Sequence, residues 1–458
     1  MIQLQCVTYT YPDAPQPALK QIDLTIRDGE WVLLAGSSGC GKSTLLHLLN
    51  GLIPHIVGGT LTGEIRIDGM EPARTPIAEI SRGVGTVFQN PELQLFAPRV
   101  EDDAAFGCEN LGFPPAETWR RVDRELVRMS LDEMRRQDVF TLSGGQKQRL
   151  AIAGALATGT RILLLDEPTS DLDQSGRTQL LRALRDLHGD GFTLVMTEHR
   201  FDGLAGLVDR ALVMDRGRIV GNGPVPSACP PPPRSSGLNC QAAEVVVEAD
   251  GLEFAYSGKP PVLRDVALRL RAGEVVALTG SNGSGKTTLL KILCGLLKCR
   301  NGRLRVAGVE QPALGGLAGK VGFLFQNPDE QIFTDRVADE ILFGARNLGR
   351  SVDLDHYLYR TALADVVHAH PRSLSRGGRQ RLVAAAVMAM QPQVVLLDEP
   401  TTGLDQAAWV SLMELVVEEA GRCGACVLFS THHEEAAAAF ASRSLRIAEG
   451  RLIDDCLP

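Results

Sequence analysis

Two stretches of this chain set glycine, lysine and hydroxyl side chains where they can hold a phosphate. Gly36-Ser37-Ser38-Gly39-Cys40-Gly41-Lys42-Ser43-Thr44 is answered by Gly280-Ser281-Asn282-Gly283-Ser284-Gly285-Lys286-Thr287-Thr288. In the pattern G-x-x-x-x-G-K-[ST] the glycines let backbone N–H groups converge on phosphate oxygens, and the helix start that follows adds positive partial charge. Lys42 and Lys286 are expected to reach the β- and γ-phosphates of a nucleotide, with Ser43 and Thr287 ligating Mg²⁺. Each loop has an acidic companion farther on, Leu163-Leu164-Leu165-Asp166-Glu167-Pro168-Thr169 and Val395-Leu396-Leu397-Asp398-Glu399-Pro400-Thr401. Asp166 and Asp398 end apolar runs and are placed to hold Mg²⁺ through its water shell. Glu167 and Glu399 are placed to polarise an attacking water as general bases. One glycine-rich match is weak; two copies with the same companions in the same order indicate a duplicated nucleotide-binding domain.

The elements around these residues follow from hydrophobic pattern. Ile2–Val7, Ile22–Ile26, Val245–Val247 and Val266–Leu270 alternate apolar and polar residues, as antiparallel strands with one wet face do. Trp31–Ala35 and Ile162–Leu165 are solid apolar runs, expected of parallel strands covered on both faces. A helical stretch at about 101–135, without strand runs, reads as a separate lobe. The fold class is therefore α/β: two tandem P-loop NTPase domains, each with a mainly parallel core sheet, an antiparallel β subdomain and a helical subdomain. Gly223–Gly237 is rich in proline, which continues neither a helix nor a central strand, so it reads as an extended linker. The expected domains are 1–222 and 245–458, joined by a linker at 223–244.

Composition narrows the class. Apolar residues make up 44% and charged residues 22% of the 458, a globular balance. Net charge is −8 without a basic cluster, which disfavours a nucleic-acid partner. Leu382–Met390, the best apolar run, is too short to span a bilayer, and the N-terminus lacks the pattern of a secretion signal. The chain is thus expected to stay in the cytoplasm, with its ten cysteines reduced. Cys423-Gly424-Ala425-Cys426 has redox-motif spacing but leads into a strand, so packing is the expected role. Oxidation of Cys40 would block the first phosphate loop.

Leu142-Ser143-Gly144-Gly145-Gln146-Lys147-Gln148-Arg149 is a more specific sign. On it, and on the motifs above, the chain resembles the ATP-binding-cassette (ABC) ATPases over nearly its whole length. The resemblance implies ATP and Mg²⁺ as cofactors and assigns further residues. Gln89 and Gln326, each in Phe-Gln-Asn-Pro, match the glutamine that senses Mg²⁺ and faces the transport partner. His199 and His432 match the switch histidine at the γ-phosphate. Tyr11 and Tyr256 stand where the family stacks an aromatic ring on adenine, although each alone is as well explained by packing. In this family two cassettes pair head to tail, each ATP lying between one phosphate loop and the other's signature (Ser143, Gly144, Gly145 and Gln146 here). With both cassettes in one chain that pairing is intramolecular, and a short tether gives an effective concentration of roughly millimolar.

The second signature departs from the pattern. It reads Leu374-Ser375-Arg376-Gly377-Gly378-Arg379-Gln380-Arg381, keeping Ser375 and Gly377 but replacing the middle glycine by Arg376 and the last glutamine by Gly378. Ser375 and Gly377 still suit γ-phosphate capping, and Arg376 could add a charge-assisted contact. By the head-to-tail rule the affected site is the one that uses Lys42, Glu167 and His199.

Other segments look like the energy-coupling-factor (ECF) importers, in particular their fused tandem ATPases. These are Gly51-Leu52-Ile53-Pro54-His55, Gln94–Glu101 with its counterpart Gln331–Ala338, and Thr197-Glu198-His199-Arg200. That resemblance implies membrane-embedded T and S components as partners, a location at the cytoplasmic face of the membrane, and a vitamin, vitamin precursor or transition-metal ion as cargo. Glu101, Asp102, Asp103, Asp339 and Glu340 are then candidates to receive basic residues of the T component, or else ordinary acidic helix starts. Two alternatives stay open at this point: a soluble tandem ABC ATPase acting on ribosomes or nucleic acid, and the ATPase of another importer class. The unequal signatures predict unequal sites. Single-turnover ATPase of Glu167→Gln and of Glu399→Gln should fall by different factors, within the ~10² to 10⁴ range typical of losing a general base; equal losses would count against this asymmetry.

Overall fold

The computed structural model describes residues 1–226 except 13, 171, 200 and 202, and residues 243–455 except 433. The chain divides into two compact units, Met1–Ala228 and Cys229–Pro458. Most of the expected linker lies outside the described residues.

The first unit runs β1 (Ile2–Thr10), β2 (Leu19–Ile26), β3 (Trp31–Ala35), α1 (Lys42–Leu49), α2 (Leu52–His55) and β4 (Thr60–Ile67). It continues with α3 (Ile77–Gly83), β5 (Val84–Val87), α4 (Val100–Asn110), α5 (Pro115–Arg128) and α6 (Gly144–Ala157). It closes with β6 (Ile162–Asp166), α7 (Gln174–Gly189), β7 (Thr193–Thr197), β8 (Arg210–Asp215) and β9 (Arg218–Gly223). Its core sheet has the order β5-β6-β7-β3-β8-β9, parallel except for the β8–β9 edge pair. A separate antiparallel sheet has the order β2-β1-β4.

The second unit repeats the plan. It comprises β10 (Val245–Phe254), β11 (Leu263–Arg271), β12 (Val275–Thr279), α8 (Lys286–Leu293), β13 (Asn301–Val306), β14 (Val309–Glu310) and β15 (Val321–Leu324). Then follow α9 (Val337–Asn347), α10 (Leu354–Thr361), α11 (Arg376–Ala389), β16 (Val394–Leu397) and α12 (Gln406–Cys423). The last elements are β17 (Cys426–Ser430), α13 (Glu434–Phe440), β18 (Arg443–Ala448) and β19 (Arg451–Asp455). The core order β15-β16-β17-β12-β18-β19 matches that of the first unit strand for strand.

The solid apolar runs are explained by two cores, one on each face of the parallel sheet. Val32 and Leu34 join Ile162 and Leu164 in the core shared with α1 and the antiparallel sheet. Trp31 and Leu33 join Leu163 and Leu165 in the core packed by α4 to α7. Successive strand residues point to opposite faces, so both faces must be apolar. Val394 and Leu396 against Val395 and Leu397 repeat this division in the second unit. Leu382–Met390, the apolar run noted in the sequence, belongs to α11 and packs in that core up to Ala389. No described helix is long and apolar enough to cross a membrane.

The lobe expected near 101–135 is built by α4 and α5, with α9 and α10 as counterparts. The acidic residues at its entry have a local use. Asp103 is buried and its Oδ1 accepts the N–H groups of Phe96 and Ala97 at 2.7 and 2.9 Å. Glu340, also buried, accepts at Oε2 from the N–H groups of Phe333 and Thr334 and from the Thr334 hydroxyl, at 3.2, 2.9 and 2.7 Å. Glu101 is paired with Arg135 at 2.7 Å and Asp339 with Arg346 at 3.4 Å. Asp103 and Glu340 hold the loops just before them, and what those loops push outward is aromatic. Phe96 and Phe333 are each 66% exposed and lie 5.4 and 5.1 Å, ring to ring, from the part-exposed Phe106 and Phe343. Glu340→Ala should leave these donors without their buried acceptor and cost about 1–3 kcal/mol, measured as a lower urea midpoint; an unchanged midpoint would refute this role.

Candidate functional site

In both units the phosphate loop joins the end of a central strand to a helix start, β3 to α1 and β12 to α8. The residues between, Gly36 to Gly41 (Ser37, Ser38, Gly39 and Cys40 inside) and Gly280 to Gly285 (Ser281, Asn282, Gly283 and Ser284 inside), make the turn. Glycine is required at its entrance. A Cβ on Gly36 would lie 2.4 Å from the Met214 carbonyl oxygen, and one on Gly280 2.6 Å from that of Ile447. Gly41 and Gly285 cap the helices with φ of 110°, a left-handed conformation that other residues resist. Lys42 and Lys286 are buried, and each ammonium folds back over its loop. Lys42 Nζ donates to the carbonyls of Gly36 and Ser37 at 2.8 and 3.1 Å, and Lys286 Nζ to those of Gly280 and Ser281 at 2.8 and 3.3 Å. The Ser284 hydroxyl is buried there without a hydrogen-bond partner among the described residues. A glycine-rich turn, a lysine and a buried hydroxyl at a helix start fit a polyphosphate.

The acidic residues close over this loop. Glu167 and Glu399 have φ of 46° and 45°, in the left-handed region that side chains such as theirs enter at a cost of about 1–3 kcal/mol. Each backbone N–H is tied to a hydroxyl on the neighbouring strand end, Thr197 Oγ1 or Ser430 Oγ, both at 2.8 Å. The same hydroxyls donate to Asp166 Oδ1 at 2.6 Å and Asp398 Oδ1 at 2.8 Å. Thr197 and Ser430 are given no role by the sequence reading. The available signal was a hydroxyl residue ending the strand before the switch histidine in both copies.

Most predicted partners gather at these glutamates. In the first unit His199 Nε2 lies 2.6 Å from Glu167 Oε1, and Gln89 Nε2 donates to Glu167 Oε2 at 2.7 Å. In the second unit His432 Nδ1 lies 2.9 Å from Glu399 Oε2 and Lys286 Nζ 3.3 Å from Glu399 Oε1, while Gln326 is exposed. Burial pushes the Glu399 carboxyl up, but the hydrogen bond and charge of His432, with the charge of Lys286, outweigh it and hold the pKa below its ordinary value. The Thr287 hydroxyl meets Asp398 at 3.0 Å, and burial raises the pKa of that carboxyl. A hydroxyl beside a desolvated carboxylate is a donor set that suits Mg²⁺ with phosphate oxygens and water. Ser43 occupies the matching position on α1. Tyr11 and Tyr256 are anchored to the first helical turns, their hydroxyls 2.9 and 3.2 Å from those of Thr44 and Thr288. Both rings also meet a second aromatic edge-on, at 4.9 Å from Tyr9 and Phe254, so packing accounts for much of their placement.

The signatures start helices. Ser143 is the N-cap of α6, and its side chain accepts from Gln146 N–H at 3.4 Å while Gln146 Oε1 accepts from Ser143 N–H at 2.8 Å, a reciprocal capping box. Gly144 and Gly145 follow with no side chain. Ser375 caps α11 by accepting from Gly378 N–H at 3.2 Å, but with no side chain at 378 the return bond is lost. Gly377 is buried, and Arg376 lays its guanidinium against Gly403 of its own unit, where a Cβ would come within 2.7 Å of Cζ. Cys40 is buried with its thiol pKa raised, chiefly by burial, which makes it a poor oxidation target. Cys423 and Cys426 are not joined in a disulfide; one is exposed and the other buried in β17.

Known proteins match this architecture. The sequence profile of the ABC transporter family matches residues 19–170 and 263–402, one cassette in each unit. A Methanosarcina mazei protein, named for the ATP-binding proteins of ABC transporters, is 36% identical over 523 residues, covering 99% of this chain and 88% of its own length. A Treponema denticola protein of the same name is 34% identical over 476 residues, covering 99% of this chain and 96% of its own length. Among solved structures, cbiO1 from Clostridium perfringens, part of the ABC transporter complex cbiONQ, is 33% identical. It covers 48% of this chain and 87% of its own, with a TM-score of 0.45. The chain belongs to the ABC transporter ATP-binding proteins, a family of ATPases, and carries two cassettes in tandem.

The depressed Glu399 pKa has a stability consequence. Its pairing contributes stability above the ordinary carboxylate pKa and loses it as pH falls through the folded value. The difference in urea midpoint between the wild type and Glu399→Gln should therefore narrow from pH 7 toward pH 3; a constant difference would show that the ionised pair adds nothing.

Proposed function

We propose that this protein is the ATP-hydrolysing subunit of an ECF-type importer, working through two composite sites formed head to tail by its own cassettes. In this reading each ATP is held by one phosphate loop with Mg²⁺ and is capped by the signature of the other unit. Bound Mg²⁺ neutralises phosphate charge. The residues supply the rest: Lys42 and Lys286 bind phosphate, and Ser43, Asp166, Gln89, Thr287, Asp398 and Gln326 serve the metal. Glu167 and Glu399 accept a proton from water, with His199 and His432 orienting them. The site capped by Ser375 is the weaker, because its signature lacks the return bond that Gln146 makes in the other.

The observation that carries the transport reading is the pair of aromatic knobs. Phe96–Phe106 and Phe333–Phe343 project at equivalent points, just beyond Gln89 and Gln326, and each loop is braced by a buried acid. Exposed aromatics on braced loops suit a hydrophobic partner surface, and the ECF resemblance assigns that partner to a membrane-embedded T component working with an S component. The chain would then sit at the cytoplasmic face of the membrane without entering it. Selectivity for a vitamin, a vitamin precursor or a cobalt or nickel ion would belong to the S component. Tagged protein expressed with its neighbouring membrane genes should co-purify with a polytopic subunit, and Phe96→Asp with Phe333→Asp should abolish this without lowering the unfolding midpoint. Recovery with ribosomes instead, or capture that survives both substitutions, would overturn the reading.

A further inference from the structure

Glu198 is a buried carboxylate that none of the chemistry above uses. It directly precedes His199, and its Oε1 accepts the backbone N–H of Thr169 at 2.9 Å. Thr169 in turn stands two residues after Glu167. That hydrogen bond therefore joins the chain behind the switch histidine to the chain behind the general base. The surroundings mark it as a deliberate burial. Desolvation pushes the Glu198 carboxyl up to about 7, with Glu167 adding to the rise, while hydrogen bonds from Thr169 and the charge of Arg177 oppose it. Arg177, on α7, is itself buried. A buried carboxylate is kept only where its bonds matter, because its desolvation is costly.

The second unit has other residues at these positions. Thr431 stands in place of Glu198 and Trp409 in place of Arg177. Thr401, the counterpart of Thr169, has a buried hydroxyl without a hydrogen-bond partner among the described residues. The histidine–glutamate pairs differ as well: Nε2 at 2.6 Å in the first unit, Nδ1 at 2.9 Å in the second.

We infer that Glu198 is a positioning residue of the first site, clasping the turn after Glu167 to the strand end that carries His199. Its side chain is buried and bound to Thr169, and its role is to fix the geometry of the Glu167–His199 pair. The inference rests on Glu167 acting as base, which the comparison of Glu167→Gln with Glu399→Gln tests separately.

The test uses the full chain carrying Glu399→Gln, so that the remaining turnover reports Glu167. In that background Glu198→Thr, which installs the residue of the second unit, should lower kcat about tenfold or more with KM for ATP within about twofold, since small displacements of catalytic groups are expensive. Glu198→Gln keeps an oxygen for the Thr169 N–H and should hold kcat within about threefold. Should Glu198→Thr fail to fold, Glu198→Asp, which keeps the charge and shortens the reach, takes its place with the same expected loss of kcat. An unchanged kcat in the shortened variants overturns the clasp. So does an equal loss in Glu198→Gln, or an equal loss in the Glu167→Gln chain, where turnover reports the other glutamate.

Discussion

Glu167, just past β6, and Glu399, just past β16, are held in a backbone conformation they would not choose. At φ near +45° the Glu167 carboxylate meets His199 and Gln89 and that of Glu399 meets His432 and Lys286, and strain of about 1–3 kcal/mol is kept in place by what surrounds them. The hydroxyls of Thr197 and Ser430 hold the N–H groups, and they reach them because β6 and β16 pair in parallel register with β7 and β17. That register in turn depends on strands buried on both faces, with Leu163 and Leu165 turned to one core and Ile162 and Leu164 to the other. Core packing thus sets the aim of the carboxylate through two steps, strand register and a single hydroxyl.

A shared frame carries different details. Both lysines fold over their loops and both histidines reach their glutamates, but Gln89 adds a bond to Glu167 where Lys286 adds one to Glu399. Ser143 begins its helix with two reciprocal bonds and Ser375 with one. These differences sit on loops and helix starts, where one side chain changes the local geometry without disturbing the sheet. Duplication preserved the architecture and left the junctions to diverge.

Much of this was legible in the sequence, for physical reasons. The phosphate loops could be read because only glycine avoids the collisions at Gly36 and Gly280, so the spacing survives as a pattern. The doubly covered strands could be read because their apolar runs are continuous. The acids after Phe96 and Phe333 were harder: an acid in a first helical turn looks the same whether it faces water or, like Asp103 and Glu340, turns inward to hold a loop. Glu198 was quoted in a motif but given no task, because its bond to Thr169 spans two strands brought together only by folding. The left-handed glutamates leave no mark at all, since φ is not written in residue type unless the residue is glycine.

Those left-handed positions also set a direction for mutational drift. Glycine or asparagine tolerates such a φ better than glutamate does, so replacing Glu167 or Glu399 would ease the backbone while removing the carboxylate that pairs with His199 or His432. Backbone ease and the carboxylate's pairing therefore pull in opposite directions at the same residue. A cassette freed from keeping that carboxylate can relax the turn at the expense of the pair, and a tandem chain offers two places where that exchange can begin.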